Sequence, residues 1–183
     1  MALRRIGQQM NKESDVLFLY MTSHGLPNQF EMENAPLDLK QVDPKWLKDT
    51  LDKSGIRWRV IVISACYSGS FVSELQDENT LVITASAADR ASFGCSNEAD
   101  YTYFGRAFFD QAMREQHSMF DAFNQAKETV AKWESAQGFE PSEPQWAIGK
   151  NMELMLPQLE QRLFPQVNAV KTTPNVEMPL NIH

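Results

Sequence analysis

The fold of this chain can be inferred from the stretch Arg59-Val60-Ile61-Val62-Ile63-Ser64-Ala65-Cys66-Tyr67-Ser68-Gly69. Its β-branched run, residues 60–63, is too short for a helix and is apolar on both faces, which is typical of a strand in a parallel sheet covered on each side. Cys66 lies where such a strand ends, and Ser68-Gly69 supplies a turn after it. Because catalytic groups of open α/β sheets gather at the carboxyl edge, the pattern predicts that Cys66 lies at a functional site.

A second apolar strand, residues 15–22, ends on Ser23-His24-Gly25. An imidazole within hydrogen-bond reach of a thiol can generate the nucleophilic thiolate and later protonate the leaving group. The glycine after His24 would let the backbone approach a reacting carbonyl and offer its N–H. A lone cysteine is otherwise often a buried, inert thiol, but two strands that end on a histidine and a cysteine suggest a nucleophile with its base.

The composition restricts the class of protein. A chain of 183 residues with 43% hydrophobic content is expected to form a single domain with one good core. A net charge of −7 argues against nucleic-acid binding, which needs a basic surface. The apolar runs are strand-sized rather than membrane-spanning, and the first residues lack the apolar core of a signal peptide. We expect a soluble protein as written, either cytoplasmic or, if an upstream signal is missing, exported.

Cysteine and histidine are scarce. Two cysteines are too few for a disulfide framework, and three histidines without a Cys-x-x-Cys pair offer little for zinc, so neither a metal nor an organic cofactor is expected. Cys95 could be a second reactive thiol or could pair with Cys66, but its position in a polar loop favours an idle cysteine. His117, between two helices, and His183, in the tail, are poor alternatives to His24 as the base.

Strands alternate with helices along the chain, which predicts an α/β three-layer domain with a mainly parallel sheet. Further strands are expected at 58–65, 80–85 and 145–149, the last at an edge because prolines precede it. Helices are expected at 2–11, 44–54, 70–75, 103–113 and 118–135. Residues 26–36 are expected to form a loop or a short hairpin, and residues 86–100 a loop that contacts substrate. The domain would span residues 1–164, followed by a flexible tail, 165–183.

Three motifs in the right order carry a resemblance to a known family. They are Phe18-Leu19-Tyr20-Met21-Thr22-Ser23-His24-Gly25, Ile63-Ser64-Ala65-Cys66-Tyr67-Ser68-Gly69-Ser70 and Thr84-Ala85-Ser86-Ala87-Ala88-Asp89-Arg90. With His-Gly and Ala-Cys-x-x-Gly at strand ends, the sequence resembles the legumain (asparaginyl endopeptidase) family of cysteine peptidases, from about residue 2 to about residue 150. The family shares the caspase-like fold with caspases, gingipains and the glycosylphosphatidylinositol transamidase subunit. The stretch 101–104 is more similar to the transamidase branch and bacterial relatives.

The resemblance implies a role for each residue of the site. Cys66 would be the nucleophile and His24 the general acid and base, and the N–H groups of Gly25 and Cys66 would form the oxyanion hole. The residues that would line the substrate pocket are Ser64, Asp89, Arg90 and Ser92. The implied activity is that of a cysteine endopeptidase, or of an acyl-transferring transamidase or transpeptidase, on peptide substrates. The alternative is a catalytically inactive caspase-like domain that serves as a protein-interaction module.

The sequence also departs from the family pattern. Legumain carries a glutamate two places before the cysteine, where this chain has Ser64, so a simple asparagine specificity is not expected. The first two strands of the family fold have no counterpart, which implies a truncated member or a fragment. Strand 15–22 would then be an edge of the sheet, paired either by a second copy in a homo-oligomer or by a missing N-terminal segment.

Overall fold

The computed structural model describes residues 2–32, 41–94 and 102–164. At its centre is a four-stranded sheet made of β1 (Val16–Thr22), β5 (Trp58–Ser64), β6 (Thr80–Thr84) and β7 (Gln145–Ile148), in the order β1-β5-β6-β7. The first three of these strands are parallel, and β7 runs antiparallel to β6. A smaller antiparallel sheet contains β2 (Gly25–Leu26), β3 (Gln29–Glu31) and β4 (Gln41–Val42).

Helices cover both faces of the central sheet. One face packs against α1 (Ala2–Gln9), α2 (Pro44–Ser54) and α3 (Val72–Leu75). The other face packs against α4 (Tyr103–Gly105), a π-helical segment (Arg106–Ala112), α5 (Met113–Glu115), α6 (Met119–Gln137) and α7 (Lys150–Leu163). In the part of the chain that the structure describes, no helix combines the length and the apolar character that crossing a membrane requires.

Strand β5 explains why the sheet has two cores. Val60 and Val62 belong to the core under α4–α7, whereas Ile61 and Ile63 belong to the core under α1–α3. All seven residues of β5 are buried, as expected for a strand whose side chains alternate between two covered faces. The three-layer α/β architecture with a mainly parallel sheet is therefore confirmed.

The predicted elements agree closely with the observed ones. Each predicted strand ends within one residue of the observed strand, β7 lies at an edge as expected, and the expected short hairpin is formed by β2 and β3. Helix α7 was not predicted. It contains Pro157, but its inward side chains (Met152, Met155, Leu156 and Leu159) all lie in the core, and this packing outweighs the proline. The predicted tail 165–183, with His183, and the segment 95–101, with Cys95, lie outside the described residues.

A buried arginine joins α2 to the amino end of β5. Arg59 is 6% exposed, and its guanidinium donates hydrogen bonds to the carbonyl of Ile56 (2.8 Å), the carbonyl of Leu51 (3.2 Å) and Oδ1 of Asp52 (2.8 Å). Lys48 donates to the other carboxylate oxygen of Asp52 at 2.7 Å. Desolvation raises the pKa of Asp52, but the hydrogen bonds and charges of Lys48 and Arg59 outweigh it, so the pKa lies below the ordinary value of 3.8.

We expect Asp52→Asn to destabilise the fold at neutral pH and to have little effect in acid. A carboxyl whose pKa is lower in the folded chain stabilises the fold above its unfolded pKa, and this stabilisation is lost as the pH falls through the folded pKa. About half of the Asp52 side chain is exposed, so solvent screening limits the loss in the free energy of unfolding to roughly 0.5–1 kcal/mol. In a chain of this length, a loss of 1 kcal/mol lowers Tm by about 2–4 °C.

Thermal melts between pH 7 and pH 3 provide the measurement. The exposed Asp49 on the same helix is the matched control, and Asp49→Asn should change stability by less than about 0.5 kcal/mol at any pH. A difference between wild type and Asp52→Asn that stays constant down to pH 3 would contradict this account of the ion pairs.

Candidate active site

The pairing of β1 with β5 brings His24 and Cys66 to the same edge of the sheet. The two strands are parallel, and Thr22 is the partner of Ser64 in their register. One further backbone hydrogen bond, from the N–H of Ser23 to the carbonyl of Ser64, extends the contact at 3.4 Å. His24 and Cys66 each follow the last residue pair by two positions, so they leave adjacent strands at equivalent points of the carboxyl edge.

Gly25 packs directly against the main chain of Cys66. A Cβ atom added at Gly25 would lie 2.3 Å from the carbonyl oxygen of Cys66 and 3.2 Å from the Cβ of Ala65. This approach requires glycine because any side chain would overlap the backbone of the neighbouring turn. The His24 side chain is exposed and Cys66 is half-buried, so both are accessible from solvent at this edge.

Two backbone N–H groups beside the thiol can act as hydrogen-bond donors. The His24 carbonyl accepts the Glu31 N–H at 3.0 Å, which makes Gly25 and Phe30 a non-hydrogen-bonded pair of the hairpin, so the Gly25 N–H is directed away from β3. Within residues 2–32, 41–94 and 102–164, the N–H of Cys66 has no acceptor. Neither N–H group is therefore paired among the described residues.

The thiol makes its hydrogen bonds with Ser92. Cys66 Sγ lies 3.3 Å from the Ser92 carbonyl, to which it donates, and 3.3 Å from the Ser92 N–H, from which it accepts. The Ser92 hydroxyl is 3.8 Å from the sulfur. The N–H of Tyr67 donates to the carbonyl of Arg90 at 2.8 Å, so the segment that precedes Ser92 runs alongside the nucleophile.

The predicted pocket residues differ in where their side chains lie. Ser92 is buried against the thiol, whereas Asp89 is exposed. The Arg90 guanidinium lies 3.7 Å from a carboxylate oxygen of Glu140, 3.8 Å from one of Glu143 and 4.0 Å from one of Asp89. These ion pairs lie at the surface, and such pairs contribute little to stability.

Ser64 contacts the beginning of α4 instead of an open pocket. Its side chain has no exposed surface, and its hydroxyl shares a 2.7 Å hydrogen bond with Thr102 Oγ1. Thr102 Oγ1 also accepts the N–H of Gly105 at 3.0 Å and thereby caps α4. In this conformation Ser64 therefore anchors a helix next to the site and has no surface that a peptide could touch.

The turn after Cys66 contains features that the sequence pattern did not reveal. Tyr67 adopts a left-handed conformation, with φ 57° and ψ 18°, and a 3₁₀ turn, Ser68–Phe71, follows it. Ser86 supports this turn because its hydroxyl accepts the Ser68 N–H and donates to the Ala65 carbonyl, both at 3.1 Å. A non-glycine residue in this conformation stores strain, which such hydrogen bonds must hold in place. In the sequence, Ser68 and Ser86 are the residues from which this support of the turn could have been inferred.

Comparisons with known proteins indicate the family of this chain. The model of the peptidase C13 family matches residues 6–155. Legumain from Canavalia ensiformis is 37% identical over 82 residues, which is 44% of this chain and 17% of that protein. A vacuolar-processing enzyme from Ricinus communis is 34% identical over 86 residues, which is 46% of this chain and 17% of that protein. The chain thus matches less than a fifth of the length of these relatives.

A solved structure shows the same fold. Caspase-1 from Spodoptera frugiperda superimposes with a TM-score of 0.57 at 14% identity, covering 80% of this chain and 65% of that chain. The superposition identifies the fold as caspase-like.

We expect Gly25→Ala to push the start of β2 away from the main chain of Cys66. The added methyl group would overlap the Cys66 carbonyl, and overpacking of this kind costs about 1–3 kcal/mol. Thermal melts should show the destabilisation, and iodoacetamide labelling in a Cys95→Ala background should show a changed reaction rate of the Cys66 thiol.

Gly138→Ala is the matched control. Gly138 has a φ of 70°, so alanine is strained there, but nothing lies within 4 Å of the added methyl group. This variant should lose stability without changing the labelling rate. Equal labelling rates in wild type and Gly25→Ala would show that the glycine does not set the geometry around the thiol.

Proposed function

The chain belongs to the peptidase C13 family, and from this premise we propose that it is a cysteine peptidase that acts on peptide substrates through a dyad of Cys66 and His24. The observation that carries the proposal is the register of β1 and β5, which aligns Thr22 with Ser64. His24 and Cys66 each follow this pair by two positions and so leave the sheet at the same edge. Thiolate chemistry with an imidazole as proton acceptor fits this juxtaposition.

The proposed reaction begins when His24 takes the thiol proton of Cys66. The sulfur then attacks the carbonyl carbon of the scissile amide, and the carbonyl oxygen becomes an oxyanion held by the N–H groups of Gly25 and Cys66. Collapse of this intermediate breaks the C–N bond, and the proton on His24 goes to the leaving amine. Attack by water on the thioester completes hydrolysis, whereas attack by an amine transfers the acyl group.

The contact of the thiol with Ser92 describes the resting state in this proposal. A neutral thiol can donate to the Ser92 carbonyl, 3.3 Å away, but a thiolate cannot. The Ser92 N–H, also 3.3 Å away, can donate to the sulfur in either form. Loss of the thiol proton therefore removes the donation to the Ser92 carbonyl, while the contact with the Ser92 N–H remains. The backbone of residues 89–92 is then next to the reacting group, which supports its proposed role in the pocket.

The same contact favours the second candidate, a caspase-like domain that binds partner proteins without catalysis. In this conformation the hydrogen bonds of the thiol are with Ser92 rather than with His24. A peptidyl electrophile separates the two functions because it requires an accessible, ionisable thiol next to a peptide site. Stoichiometric labelling of Cys66 supports the peptidase, and no labelling of the folded chain supports the interaction module.

We expect Cys66→Ala to abolish cleavage of peptide substrates and to leave the fold intact. The variant removes the nucleophile. Because Cys66 is half-buried, the loss of its sulfur atom should lower the free energy of unfolding by only about 1 kcal/mol. His24→Ala should lower kcat by at least about 100-fold because it removes the general base. A peptide-library cleavage assay measures the activity of both variants, and circular dichroism measures whether Cys66→Ala keeps its fold.

Cys95→Ala is the matched control for the loss of a thiol and should retain the activity of the wild type. Equal loss of activity in Cys66→Ala and Cys95→Ala would reject the assignment of the nucleophile.

We propose that the free edge of β1 is an interaction surface. Strand β1 lies at the end of the sheet, and among the described residues no strand pairs with its outer side. Phe18 and Tyr20 on this strand are each 39% exposed, and the strand contains neither proline nor lysine to block further pairing. In a solution of the pure chain, we expect this edge to pair with the same strand of a second copy.

We therefore expect the purified chain to scatter light with a mass above 20.9 kDa. Phe18→Lys should shift the mass to that of the monomer, because a charged side chain on an edge strand opposes pairing. Phe120→Lys, on the exposed face of α6, is the matched control and should leave the mass unchanged. A monodisperse wild-type monomer with a cooperative melt would contradict pairing through β1.

A further inference from the structure

The hairpin that carries Gly25 is tied to the turn that carries Cys66 by one side chain, Ser70. Asn28, at the tip between β2 and β3, has a φ of 60°, and its backbone N–H donates to Ser70 Oγ at 2.9 Å. The hydroxyl of Ser70 in turn donates to the carbonyl of Tyr67 at 2.6 Å. A hydroxyl has one donor and two acceptor sites, so a single oxygen can make both contacts.

The same residue stabilises the left-handed turn next to the nucleophile. The Tyr67 carbonyl accepts both the hydroxyl of Ser70 and its backbone N–H, the latter at 3.0 Å. On its other side, the Tyr67 N–H donates to the carbonyl of Arg90 at 2.8 Å. The peptide groups on both sides of Tyr67 are thereby held, which is what keeps its φ at 57°.

These contacts connect the two donors of the oxyanion hole. One donor, the N–H of Gly25, lies on the hairpin whose tip Ser70 holds, and the other, the N–H of Cys66, directly precedes the residue whose carbonyl Ser70 holds. Gly25 and Cys66 are themselves packed against each other without a side chain between them. Their spacing therefore depends on the position of the hairpin relative to the turn.

We propose that Ser70 is a positioning residue that sets the distance between the N–H groups of Gly25 and Cys66 and so the stabilisation of the oxyanion. The inference rests on the proposed peptidase function. Ser70 acts through the two backbone segments and does not touch the peptide, so its effect falls on the transition state and not on ground-state binding.

The test compares peptide cleavage by wild type, Ser70→Ala and Ser70→Thr. Loss of an oxyanion donor costs 10²–10³ in kcat in other hydrolases, and a donor that is displaced but present should cost less, about 10–100-fold. We expect this loss in the kcat of Ser70→Ala, with KM changed less than about twofold. Ser70→Thr retains the hydroxyl and should recover most of the activity.

Two controls distinguish positioning from a general loss of structure. Ser73→Ala removes a nearby exposed hydroxyl, and Asn28→Gly keeps the backbone N–H in a conformation that glycine adopts readily, so both should behave as wild type. Iodoacetamide alkylation of Cys66 in a Cys95→Ala background needs no oxyanion hole and should proceed at the wild-type rate in Ser70→Ala. A parallel loss of alkylation and cleavage would indicate disruption of the turn and overturn the positioning role.

Amide hydrogen exchange of the hairpin, residues 25–31, provides a readout that does not depend on activity. Ser70→Ala should exchange faster there than wild type, because the Asn28 N–H loses its acceptor. If wild type cleaves peptides and Ser70→Ala keeps the same kcat, the positioning role is overturned and the proposed function stands. If wild type neither cleaves peptides nor reacts with a peptidyl electrophile while Ser70→Ala exchanges faster, the proposed function fails and the tie between hairpin and turn stands.

Discussion

The candidate site depends on the parallel pairing of β1 with β5. Because side chains alternate along a strand, a shift of one residue in this register would turn the apolar side chains of β1 to the wrong face of the sheet and move His24 out of line with Cys66. The register is held by burial, since every residue of β5 is enclosed by the two cores and cannot move without exposing apolar surface. The apolar core thus aligns two polar residues that it does not itself contain.

Beyond the strand ends, hydrogen bonds replace the sheet as the source of order. The main chain of residues 65–68 is held by the hydroxyl of Ser86 and by the carbonyl of Arg90. Most of these contacts use backbone groups, which keep their geometry when the surface side chains change. Such an arrangement lets the half-buried thiol of Cys66 remain accessible while the backbone around it is fixed.

The two ends of β5 have different roles. At the amino end, the buried guanidinium of Arg59 is satisfied by the carboxylate of Asp52 and by two carbonyl groups. This end therefore contributes to stability, because an arginine that lost these partners would remain charged and buried. Beyond the carboxyl end, the thiol of Cys66 is half-buried, and the N–H of Cys66 has no acceptor among the described residues. Stability and the proposed chemistry are thus separated along one strand.

The positions of the strands and of the two central residues could be read from the sequence because burial leaves a local signal. Uninterrupted apolar runs such as 60–63 occur where a strand is covered on both faces, and the residue after each run marks the carboxyl edge. Helix α7 could not be predicted in this way. Pro157 is a local signal against a helix, and the core that accommodates it comes from distant strands.

The details of the site were decided by tertiary structure. Ser92 meets Cys66 across 26 residues of chain, Thr102 meets Ser64 across 38, and Ser70 meets Asn28 across 42. Nothing in the pattern of apolar residues indicates such pairs, since serine and threonine also occur on the protein surface without such partners. Hydrophobic periodicity therefore determines which residues reach the edge of the sheet. Which polar atoms then meet is determined only when distant segments of backbone fold against one another and each buried donor must find an acceptor.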